Sequence, residues 1–160
     1  MDEKSLETLE AWCKAREFCL YIYKEVLPRL PAEEKWNLGQ QLRRAALSIP
    51  ANIAEGYGRF YYQDNVRFCY NARGSLQKCV SHLIVAAEMQ FILKAQCVSL
   101  RLDAEKLTML VNGNIGYLKK SKQGGDEPGA RYAVREVGEL YEAEQDIPEL
   151  ETPAPVSNNE

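Results

Sequence analysis

The chain has 160 residues, 46% of them apolar, enough for one hydrophobic core and too few for a multidomain enzyme. Its formal charge of −3 conceals two opposed segments: residues 1–123 carry 18 basic and 13 acidic side chains, net +5, and residues 124–160 carry 2 and 10, net −8. The first segment can approach a polyanion, and the second would repel one.

Ser5 precedes apolar or small residues at Leu9, Trp12, Cys13, Cys19, Ile22, Tyr23 and Val26, a helical spacing that predicts helix A over about 6–27, ended by Leu27-Pro28. Pro31 followed by Ala32-Glu33-Glu34 reads as the start of helix B, with proline in the first turn and acids at the positive end of the dipole. Helix B runs to about Glu55 and stops at Gly56. Pro50 lies inside it, removes one backbone donor and clashes with the Ala46 carbonyl, which predicts a kink or a short break.

Residues 56–62, Gly-Tyr-Gly-Arg-Phe-Tyr-Tyr, read as a loop. Helix C follows over about 63–90, with Val66, Phe68, Cys69, Ala72, Leu76, Cys79, Val80, Leu83, Ala86 and Ala87 on one broad apolar face. Helix D follows a connection near residues 91–96 and runs to about Lys120, burying Val98, Leu102, Leu107, Leu110, Ile115 and Leu118 or their neighbours. Lys119, Lys120 and Lys122 suit its negative end. No segment alternates with period two, so the expected fold is all-α, an antiparallel up-down-up-down four-helix bundle over residues 1–123. Residues 124–160 hold four of the seven prolines and ten acids, the composition of a disordered acidic tail. Within it Val134, Val137 and Tyr141 have the spacing of a short helix that could dock on a partner.

The five cysteines, Cys13, Cys19, Cys69, Cys79 and Cys97, form no C-x-x-C pair and sit among apolar neighbours, which suits buried thiols in a reducing compartment. No basic-then-apolar signal opens the chain, and the longest uncharged apolar run, Leu83–Ala87, is too short to span a bilayer. The expectation is a soluble, cytoplasmic protein without membrane contact.

At about 100° per residue, Asn37, Gln41, Arg44, Ser48, Asn52 and Glu55 fall in one sector of helix B beside the apolar sector of Leu38, Leu42, Ala45, Ile49 and Ile53. Arg67, Asn71, Ser75, Lys78 and His82 align on helix C, with Gly74 in the same stripe, where a missing side chain lets a backbone or ligand approach. Gln41, Ser48, Asn52, Glu55 and Ser75 are hydrogen-bonders that can satisfy one another between helices. The bases suit another role. Between Trp36 and Val80, Arg43, Arg44, Arg59, Arg67, Arg73 and Lys78 face only two acids, Glu55 and Asp64. With Tyr57, Phe60, Tyr61 and Tyr62 in the adjoining loop, they could engage phosphates while an aromatic ring stacks on an unpaired base. Leu47 points away from the apolar sector of helix B, towards solvent or another subunit.

Signals for catalysis and metal binding are weak. The single histidine, His82, belongs to no metal-ligand spacing, and Cys79, three residues before it, lies in the apolar sector as a buried thiol. Gly56-Tyr57-Gly58 follows a helix and precedes no Lys-Ser/Thr, so it is neither a P-loop nor a dinucleotide fingerprint. The reading is a non-enzymatic protein with no metal and no cofactor.

Residues 41–56, Gln-Leu-Arg-Arg-Ala-Ala-Leu-Ser-Ile-Pro-Ala-Asn-Ile-Ala-Glu-Gly, closely resemble the signature of the bacterial four-helix-bundle proteins encoded within intervening sequences of large-subunit ribosomal RNA genes. Leu9-x-x-Trp12 with Ala15, Phe18 and Tyr23, then Pro31-x-Glu33-Glu34, Gly58-Arg59 and Ala72-x-Gly74-Ser75-Leu76 resemble that family in the same order, over about residues 6–120. The resemblance implies a small antiparallel bundle, commonly a ring-shaped homopentamer, without known catalysis. A related branch, the accessory variability determinants of diversity-generating retroelements, is similarly bundled, binds nucleic acid through a basic surface and associates with a reverse transcriptase. This chain departs from the pattern at Lys78, where an acidic residue is usual, and at Phe60-Tyr61-Tyr62, where small or polar loop residues are usual. Both changes suit an RNA surface, and both also suit an altered subunit contact.

Two functions follow as expectations. In the first, a homo-oligomer binds RNA or other nucleic acid through its helix B and helix C surface, and the acidic tail competes for that surface. In the second, the assembly is a scaffold for a protein partner such as a reverse transcriptase, and the basic residues hold helices or subunits together.

Overall fold

The computed structural model describes residues 5–59 and 61–120. The predicted tail from residue 124, the short helix within it, Lys122 and Phe60 lie outside them. The described residues form four α-helices in chain order: α1 Glu10–Tyr21, α2 Leu38–Tyr57, α3 Tyr62–Glu88 and α4 Lys94–Lys120. No strand occurs among them. Short connections make α2, α3 and α4 successive antiparallel neighbours, and α1 closes the bundle against α2 and α4.

Helix A is shorter and less regular than its periodicity implied. A 3-10 turn, Leu6–Thr8, is capped by the Ser5 hydroxyl, which accepts from the Glu7 amide at 3.3 Å, and α1 starts after extended Leu9. Beyond Tyr21 the chain widens into a π turn, Ile22–Val26, in which the Leu27 amide reaches back to the Ile22 carbonyl. Leu27-Pro28 does not end the helical run; a 3-10 turn passes through Pro28 to Arg29. The run stops at Leu30, whose extended backbone (φ −71°, ψ 140°) is the conformation that the following Pro31 imposes.

Helix B also starts later. Ala32–Lys35 is a separate 3-10 turn, and α2 begins at Leu38. The predicted acids still serve its positive end, because the Glu34 carboxylate accepts from the Leu38 amide at 3.1 Å. Gly39 packs against this turn, where a Cβ would stand 2.9 Å from the Glu34 carbonyl oxygen. No break occurs at Pro50, and α2 continues past Gly56 to Tyr57. Gly56 is buried inside the helix rather than placed after it, because Asn65 and Phe68 of α3 press against its Cα.

The inward faces of α2 and α3 match the expected sectors. Leu42, Ala45, Ile49 and Ile53 meet Cys69, Ala72, Leu76, Cys79 and Leu83, and the α1 side adds Phe18, Ile22 and Val26. In α4 the buried residues are Cys97, Leu100, Ala104, Leu107, Val111, Ile115 and Leu118. Val98 and Leu102, expected inside, are 54% and 52% exposed. They lie with Met109 on the opposite side of the helix from Leu100 and Leu107, so α4 is apolar on two faces and only one meets the core. α3 ends in a Schellman motif: Phe91 donates to the Ala86 carbonyl at 2.9 Å, Gln90 donates to the Ala87 carbonyl at 3.1 Å, and Gln90 takes the left-handed conformation.

Candidate nucleic-acid interface

α2 and α3 are the most closely packed pair, and small polar side chains line their seam. Asn52 donates from Nδ2 to both the Ser48 carbonyl (2.7 Å) and the Ser48 Oγ (2.9 Å). The Ser48 and Ser75 hydroxyls lie 2.9 Å apart, and Ser75 donates back to the Asn71 carbonyl at 3.0 Å. Each hydroxyl has one proton. With the Ser75 proton on Asn71, the Ser48 proton must go to Ser75, and the chain runs in one direction from Asn52 to Asn71. Buried Ser75 is satisfied twice within it. Three of the five residues expected in a polar network therefore meet. Gln41 lies exposed towards the far end of the seam, and Glu55 turns away to pair with Arg59.

The six bases do not form one patch. Arg43 leaves the seam on the α1 side and stacks over Tyr23, 5.9 Å from the ring centre. Arg73 leaves on the α4 side, donating to Asn112 Oδ1 at 2.8 Å and covering Tyr70 at 5.2 Å. At the base of the seam Arg59 pairs with Glu55 and lies over Phe68 at 4.9 Å, while Arg67 stands 3.7 Å from Asp64. Arg44 and Lys78 remain exposed. The Ser48–Ser75 bond sets the antiparallel register, so Arg44, one turn before Ser48, and Lys78, one turn after Ser75, extend from it in the same direction. His82 follows Lys78 by one further turn, and burial first and the Lys78 charge second hold its pKa below the ordinary value. The six bases share the stretch of sequence between Trp36 and Val80, but the length of an arginine side chain lets Tyr23 on one side and Asn112 of α4 on the other draw Arg43 and Arg73 apart.

The aromatic loop divides too. Tyr61 is exposed at the entry to α3, whereas Tyr57 and Tyr62 turn to the end of the bundle and line a cavity of about 500 Å³ with Arg59, Asn65, Asn114 and Tyr117. The Cys69 thiol donates to Asn65 Oδ1 at 3.6 Å and accepts from Asn114 Nδ2 at 3.4 Å. Asn65, Asn114 and Tyr117 were absent from the residues singled out in the sequence. Asn114 is 45 residues from the cysteine that it touches, and only folding of α4 onto α3 unites them. Gly74 is exposed and a Cβ there would meet nothing within 4 Å, so no neighbouring backbone uses the gap.

All five cysteines are free thiols. Burial pushes the Cys79 thiol up to about 12, which disfavours a thiolate nucleophile beside His82. No group of metal-ligating side chains occurs among the described residues, and no described helix is long and apolar enough to cross a membrane.

Residues 7–113 match the family described as 23S rRNA-intervening sequence protein. The chain belongs to that family. Comparison with curated proteins finds no match. The 23S rRNA-intervening sequence match takes in the whole α2–α3 seam and its six bases, and it stops one residue before Asn114 and four before Tyr117. The far wall of the end cavity thus lies beyond the family stretch.

Proposed function

We propose that the protein is a non-enzymatic, homo-oligomeric bundle that binds RNA through the outer α2–α3 face. One observation carries this reading: Glu55 and Asp64, the two acids between Trp36 and Val80, are engaged by Arg59 and Arg67, which leaves Arg44 and Lys78 exposed and without an acidic partner among the described residues. Uncompensated cations beside a neutral hydroxyl–amide seam suit phosphate contacts, which supply most of the affinity for a polyanion. The resemblance to ring-shaped relatives makes a pentamer the expected assembly.

The test is binding of full-length protein to mixed-sequence RNA across a salt series, with the mass of the oligomer recorded in the same buffers. Log affinity should fall linearly with log salt, and Arg44→Gln or Lys78→Gln should each flatten the slope by about one phosphate. An intact oligomer that binds no RNA at low salt, with and without residues 124–160, would overturn the reading. The alternative, a scaffold for a partner such as a reverse transcriptase, is favoured by one feature, the exposed apolar stripe of Val98, Leu102 and Met109 on α4.

A further inference from the structure

The cavity at the end of the bundle holds two amides in fixed and opposite orientations. Both hang on one sulfur. Burial pushes the Cys69 thiol up, so the sulfur keeps its proton and donates to Asn65 Oδ1 while accepting from Asn114 Nδ2. The same Asn65 oxygen fills the space that a Cβ at Gly56 would occupy, 2.8 Å away. With its oxygen so held, Asn65 keeps Nδ2 as a donor, and Asn114 keeps Oδ1 as an acceptor. Neither atom has a partner among the described residues. A donor and an acceptor on two part-buried side chains that line one cavity suit a planar ligand edge on which an acceptor adjoins a donor, as on every nucleobase.

The walls suit the same ligand. Tyr117, 67% exposed, lines the cavity together with Tyr57 and Tyr62, three aromatic rings in all, and Arg59 lines it while paired with Glu55. A volume of about 500 Å³ is in the range of sites that enclose small organic ligands. We propose that this cavity takes one unpaired nucleobase of a single-stranded RNA segment, with Asn65 and Asn114 on its polar edge and Tyr117 against its face. The inference deepens the RNA reading and rests on it for the source of the base.

The deciding experiment titrates ¹⁵N-labelled full-length protein with each of the four ribonucleoside 5′-monophosphates and, separately, with ribose 5-phosphate, following the side-chain amide resonances of Asn65 and Asn114. The nucleotides should move both amides, ribose 5-phosphate at the same concentration should leave them in place, and Asn114→Leu should weaken nucleotide binding about tenfold. Ribose 5-phosphate shifting both amides as the nucleotides do, or nucleotides leaving both unmoved, would overturn the proposal, and this comparison on the unmutated protein stands even if the variant does not fold. The salt series on RNA is read separately. Salt-dependent RNA binding with silent amides removes the cavity alone, and shifted amides without RNA binding keep a nucleotide site while removing the RNA surface.

Discussion

Gln90 closes α3 at φ 61°, a conformation in which an L side chain crowds its own backbone, and it holds there because two backbone hydrogen bonds of the Schellman motif require it. Gln90→Gly should raise unfolding stability by up to about 1 kcal/mol in a urea titration, the relief of strain being partly offset by the freer unfolded chain. Gly56 behaves oppositely. Its added Cβ would sit 2.8 Å from Asn65 Oδ1 and 2.9 Å from Phe68 Cβ, so Gly56→Ala should cost about 1–3 kcal/mol in the same assay. The sequence marked Gly56 as a helix stop, which it is not; its role depends on α3 lying against it. His82 carries a charge-dependent signature. Its pKa is lower in the folded than in the unfolded protein, so the unfolded state binds the proton more readily, and stability falls as pH drops through the ordinary value of 6.5 towards the folded value. Lys78→Gln removes the repelling charge and should raise the His82 pKa in an NMR titration; an unmoved pKa would separate the two side chains.

At the scale of elements, α2 and α3 were legible because their apolar residues keep to one sector, and a single sector has only one way to face a core. α4 was legible only in part, with Leu107, Ile115 and Leu118 buried as expected and Val98 and Leu102 exposed, for the converse reason. Val98, Leu102 and Met109 repeat at helical spacing as convincingly as Leu100, Leu107 and Val111, and periodicity alone does not say which stripe turns inward. Leu102→Lys combined with Met109→Lys should change unfolding stability by no more than about 0.5 kcal/mol per site, because both side chains are exposed, and, on the proposed homo-oligomer reading with this stripe between subunits, should lower the mass in light scattering. An unchanged mass would assign the stripe to another partner. α2 shows how packing overrides a local rule: Pro50 removes one donor, but Ile49 and Ile53 on either side of it are fully or almost fully buried, and the helix continues.

For the whole molecule, the dominant quantity is the charge asymmetry, +5 over residues 1–123 against −8 over residues 124–160. On the proposed RNA reading, deleting residues 124–160 should strengthen binding at low salt and change it little at high salt, where the Debye length shrinks to about 3 Å at 1 M. Equal affinity of the two forms at low salt would remove the acidic segment from the mechanism.

The sequence by itself determined the all-α class, the family resemblance, the inward faces of α2 and α3 and the excess of base over acid between Trp36 and Val80, because helical period and composition are local properties of the chain. Tertiary structure decided where each base points, which serines meet, which stripe of α4 is covered and that Asn65 and Asn114, both bonded to Cys69, line one cavity. Those outcomes depend on side chains 27 to 45 residues apart coming within hydrogen-bonding reach, a relation that exists only after the helices pack.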